Sequence, residues 1–86
     1  MKVWALFHYG YSYAAPYVDE AEAFDSLAAC RDAFAYRLSG RDSYYPCTDE
    51  SATASVYFAD PRESHDPYPD RVLTVGPRGG IKENRA

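Results

Sequence analysis

Four side chains in this sequence have the chemistry of a nucleophile or a general base: Cys30, Cys47, His8 and His65. A thiol attacks only after a neighbouring base or positive charge has lowered its pKa, so a cysteine–histidine pair is the arrangement to look for. The surroundings argue against it. Cys30 falls on an apolar helical stripe, where a free thiol packs as a small hydrophobe. Cys47 stands beside Pro46 and just before Asp49 and Glu50, and acidic neighbours raise a thiol's pKa. A zinc site needs ligands at tight spacing, and the chain contains no CxxC or HxxxH pair. Asp19, Glu20 and Glu22 read as a solvated strand or loop. The expectation is no catalytic residue, no metal site and no cofactor.

Two further stretches carry chemistry of another kind. In "VGPRGG", residues 75–80, the glycines Gly76, Gly79 and Gly80 can form a backbone nest for an anion beside Arg78, or a tight turn that redirects the chain. No Lys-Ser/Thr pair follows, so this is not a Walker phosphate loop. In "HYGYSYAAPY", residues 8–17, four tyrosines occupy ten positions. Tyr9, Tyr11 and Tyr13 share a face if the backbone stays extended through Gly10. Tyrosine is at home both at the rim of a core and at protein interfaces.

The elements that must position these residues follow from periodicity. "KVWALFHY" is rich in β-branched and aromatic residues and reads as a strand. Its alternation puts Val3, Ala5, Phe7 and Tyr9 on one face and Trp4, Leu6 and His8 on the other. "YVDEAEAF", residues 17–24, reads as a second, acidic strand suited to a sheet edge. Asp25 or Ser26 then caps a helix over about 26–39, in which Leu27, Cys30, Phe34 and Leu38 fall on one stripe and Gly40 ends the run. "ATASVYFAD" and "RVLTV" are further strands, separated by the proline-rich connection "PRESHDPYPD". "GPRGGIKENRA" reads as a basic ending with Ile81 as its apolar anchor. The pattern predicts one α+β domain over 1–86, a small two-layer sandwich in which a single helix covers one face of a three- or four-stranded, mainly antiparallel sheet.

One helix covers one face. Trp4 and Leu6 are then left on the other, joined by Tyr57 and by Leu73 or Val75, a patch larger than a monomer ordinarily exposes. Nine Tyr, four Phe and one Trp exceed what so thin a core requires. The net charge of −4 argues against a nucleic-acid surface, which needs a basic footprint. No apolar run reaches the ~20 residues of a membrane span. The opening lacks the cleavage pattern of a signal peptide, and two cysteines do not make a disulfide scaffold. A reducing cytoplasm is the expected address.

Three segments, "MKVWALF", "FDSLAACRDAF" and "YPDRVLTVGPRGGIK", together resemble the small uncharacterised proteins encoded by actinobacterial phages, those of mycobacteria above all. The resemblance implies synthesis in the cytoplasm of an infected bacterium and, for some proteins of this kind, binding of a host protein. It supplies no catalytic residue. The combined expectation is a non-enzymatic interaction module that binds a host or phage protein, or a second copy of itself as a homodimer, through Trp4, Leu6, Tyr9, Tyr11 and Tyr13, with Arg78 as a polar anchor. A phosphate or small-ligand binder built on the Gly76–Gly80 turn and a minor virion component are the alternatives.

Overall fold

The computed structural model describes residues 1–8, 17–38, 52–76 and 80–86. Tyr9, Tyr11, Tyr13, Gly40, Cys47 and Arg78 lie outside them. The strands are β1 (Val3–His8), β2 (Glu22–Phe24), β3 (Thr53–Tyr57), β4 (Arg71–Val75) and β5 (Ile81–Arg85); the helix is α1 (Leu27–Leu38). They form one antiparallel sheet in the order β2-β1-β3-β4-β5, with α1 against one face. The α+β sandwich expected from periodicity is present, with five strands where three or four were expected.

The helix begins where its cap dictates. Ser26 Oγ accepts the Ala29 N–H at 3.0 Å, and the Ser26 carbonyl accepts the Cys30 N–H, so two donors of the first turn are satisfied. Cys30, Phe34 and Leu38 are buried, and Leu27 packs beside them, as their spacing predicts. They meet Val3, Ala5, Ala54, Val56 and Leu73 from the sheet. Phe7 fills the middle of this layer: its ring stacks on Phe34 at 5.8 Å and meets the edge of Phe24 at 5.9 Å. The Arg37 guanidinium lies 4.5 Å from the Phe7 centroid and grips both oxygens of Glu22, tying the last turn of α1 to β2. Burying a ring such as Phe34 contributes roughly 1.5–3 kcal/mol.

The connections are ordered by their own side chains. Residues 17–24, read as one strand, instead make a 3-10 turn (Val18–Glu20) before the short β2. Glu20 reaches back to accept the Tyr17 N–H at 2.9 Å, and this local closure competes with an extended conformation. A second 3-10 turn, Pro61–Glu63, starts at Asp60, whose carboxylate accepts the Arg62 N–H. At the far end of that connection Asp70 accepts the Phe58 N–H, while its own N–H donates to the Val56 carbonyl. Among the described residues no helix is long and apolar enough to cross a membrane.

Candidate functional site: the β5 edge and its groove

"IKENR" has one β-branched residue in five, and no strand was expected there. The strand forms because a hairpin holds it. Gly76 N–H donates to the Gly80 carbonyl at 2.7 Å, bringing the two backbones close enough that a Cβ on Gly76 would sit 3.3 Å from that oxygen. Asn84 adds a side-chain clasp, its Nδ2 donating to the Val72 carbonyl at 3.3 Å and to Thr74 Oγ1 at 3.0 Å.

That closing bond fixes which backbone groups of β5 are used. In an antiparallel pair, hydrogen-bonded and non-hydrogen-bonded positions alternate. Gly76 and Gly80 form a bonded pair, so Lys82 with Thr74 and Asn84 with Val72 are bonded as well. Ile81, Glu83 and Arg85 therefore turn their N–H and C=O groups away from β4, along the open side of the sheet. The Ile81 carbonyl confirms the parity, since it accepts Arg31 Nη2 at 3.2 Å from outside the sheet. Arg31 thus closes the first position of the edge. Among the described residues, no backbone or side chain occupies the outward groups of Glu83 and Arg85.

Between α1 and β5 runs a groove of about 530 Å³. Leu27, Ala35 and Ile81 give it an apolar floor, and Arg31, Asp32 and Glu83 give it polar walls. Glu83 lies 3.5 Å from Arg71 on the neighbouring strand. Arg85 stands directly opposite Arg71 in the register, and among the described residues it has no ionic partner. The opposite edge is different: β2 is only three residues long, and its Glu22 is held by Arg37.

The helix-free face is not the open patch that alternation alone implied. Trp4 pairs with Tyr57 and Leu6 with Ser55, but the next strand adds Val72 and Thr74; Leu73 and Val75 point to the helix side. Leu6 is 7% exposed and Tyr57 is 8% exposed. The two 3-10 turns touch each other although β2 and β3, to which they connect, flank β1 on opposite sides. Pro61, in the second of these turns, is buried. Leu6 consequently offers a partner little area. Trp4 stays half-buried, with the Lys2 ammonium 5.7 Å from its ring centroid. Tyr9, Tyr11, Tyr13 and Arg78, the other residues singled out for contact, lie outside the described residues. The most exposed tyrosines among the described residues are Tyr17 and Tyr68, which sequence reasoning did not select.

Among the described residues, Cys30 and His8 are kept apart. Cys30 is fully buried on the helix side, and burial pushes its thiol up to about 11. His8 projects from the opposite face, so the sheet separates the two. Among the described residues no group of three or more His, Cys, Asp or Glu side chains could hold a metal ion. No family model, curated protein or solved structure matches this chain.

Edge, groove and charge together describe a surface that can accept an extended strand. Outward N–H and C=O groups supply a ladder, and alternate side chains of an incoming strand fall toward the groove.

Proposed function

We propose that this chain is a small non-enzymatic protein-interaction module that binds a host or phage protein in the cytoplasm of an infected bacterium, and that it does so by strand addition at β5. The observation that supports this most directly is the unused backbone of Glu83 and Arg85 beside the α1–β5 groove. Charged residues on an edge ordinarily discourage pairing with other chains. Here the charges are mixed in sign and the neighbouring groove is apolar at its floor, so the edge is selective rather than closed. The resemblance to phage proteins supplies the cellular setting.

A phosphate-binding reading of the glycine turn is weakened by the hairpin itself. The Gly76 N–H, one of the donors a nest would need, is already given to Gly80.

Glu83→Pro tests the proposal. It removes an outward donor and leaves the β4–β5 ladder intact. A specific protein enriched from infected-cell lysate by the wild type and lost with Glu83→Pro is the expected result. Equal enrichment by both forms would move the contact elsewhere, with the half-buried Trp4 as the next candidate.

A further inference from the structure

The open part of the edge is short, and its charges are arranged in a way that specifies one partner. Glu83 and Arg85 share the helix side of the sheet, with Asn84 between them projecting to the other side. Within the monomer Arg85 faces Arg71, an unfavourable like-charge opposition on one face of an antiparallel pair. The carboxylate of Glu83, on the same face, is turned to Arg71 at 3.5 Å. Exposed Arg85 thus has no carboxylate partner among the described residues.

We infer that a second copy of this chain pairs with the β5 edge in an antiparallel register centred on Asn84. This inference rests on the reading of β5 as the contact strand and names one occupant for it. A two-fold axis perpendicular to the sheet at Asn84 sets Glu83 opposite Arg85 of the second copy, and Arg85 opposite Glu83 of the second copy. Both are positions whose N–H and C=O groups point outward, so each pair exchanges two backbone hydrogen bonds as well as an ion pair. Arg85 gains its carboxylate, and Glu83 becomes shared between Arg71 of its own chain and Arg85 of the other. The neighbouring registers with the same parity are disfavoured. Centring on Glu83 opposes two glutamates, and centring on Lys82 opposes two lysines. Arg31 limits the ladder by occupying the Ile81 carbonyl. The product is a continuous sheet of ten strands, two copies of the five-stranded one, with both helices on the same face.

The contact is far smaller than the ~800 Å² per partner of a standard interface, so it is a weak association, seen at high micromolar to millimolar protein. Added salt weakens it further, because its ion pairs lie near solvent.

Charge reversal gives the test. Sedimentation velocity across micromolar to millimolar concentration should show reversible dimerisation of the wild type. Arg85→Glu and Glu83→Arg should each weaken it roughly tenfold or more, since every cross-copy pair becomes repulsive. The double swap, with both substitutions in one chain, should restore it. That rescue is specific to the Asn84-centred register, because the Glu83-centred one would then oppose two arginines. Arg85→Glu also places a carboxylate opposite Arg71, so this variant keeps or gains thermal stability, and its monomeric state cannot be blamed on misfolding.

A wild type that stays monomeric at millimolar concentration overturns the inference, as does a double swap that fails to recover association. Either failure is separable from failure of the interaction reading itself. If the copies do not pair but the enriched target still requires an intact Glu83 edge, only the identity of the occupant was wrong. If Glu83→Pro also retains that target, the β5 reading falls with it.

Discussion

Two neighbouring proline substitutions in β5 should have very different costs, and the difference follows from a single hydrogen bond. Because Gly76 N–H closes the hairpin on Gly80, the N–H of residue 84 faces β4 and the N–H of residue 83 faces out. Asn84→Pro removes a ladder donor to Val72 together with the side-chain bonds to the Val72 carbonyl and Thr74 Oγ1. At about 0.5–1.5 kcal/mol for each net hydrogen bond, losing three comes to about 1.5–4.5 kcal/mol before any steric penalty from the ring. For a domain of this size that lowers Tm by roughly 6–36 °C. Glu83→Pro removes no ladder bond. It loses the partly exposed pair with Arg71, which contributes about 0–1 kcal/mol, so Tm falls by about 8 °C or less. Thermal unfolding followed by circular dichroism, with urea titration to check that cooperativity survives, measures both. Equal losses, or a larger loss at residue 83, would refute the assigned parity and with it the open edge.

The burial of Leu6 on the second sheet face is tested by Leu6→Ala. A leucine only 7% exposed should cost about 2–4 kcal/mol on truncation, whereas one on an open face would cost less than about 0.5 kcal/mol; urea unfolding separates the two. Cys30 gives a pH dependence of known sign. Burial raises its folded pKa from 9.0 to about 11, so its contribution to stability is complete below pH 9.0 and is lost as pH climbs through about 11. Burial shifts Tyr57 upward too, so both groups lower stability on the alkaline side, and the urea midpoint should fall there. In a Cys47→Ser background the native thiol should resist alkylation at mildly alkaline pH and react once urea unfolds the chain.

The helix was legible because its signals are local and agree with one another. Ser26 caps it, the stripe from Leu27 to Leu38 buries one side, and propensity and periodicity lead to the same residues. The alternation in β1 was legible for the same reason, and it placed Val3, Ala5 and Phe7 on the helix side. β5 was not legible, because "IKENR" carries almost no strand propensity of its own. Its conformation comes from the Gly76–Gly80 closure and from the Asn84 clasp, both tertiary facts until the hairpin exists. The fate of Leu6 was hidden in a similar way. Alternation assigns a residue to a face but does not say what else packs there, and Leu6 is only 7% exposed on the face away from α1. The charges of Glu83 and Arg85 were plain in the sequence, and they read as a solvated ending until the register set Arg85 against Arg71. The one signal that could have revealed β5 was the glycine-rich "GPRGG" directly after "RVLTV", which is where a hairpin turn belongs.

Amide hydrogen exchange resolved along β5, at low and at high protein concentration, tests the central claim most directly. The account predicts that Lys82 and Asn84 are protected at both concentrations. Glu83 and Arg85 should exchange rapidly in dilute solution and become protected as the concentration rises, because in the pair of copies the second strand takes up their outward N–H groups. Protection of Glu83 and Arg85 in dilute monomer, or continued rapid exchange at millimolar protein, would contradict it.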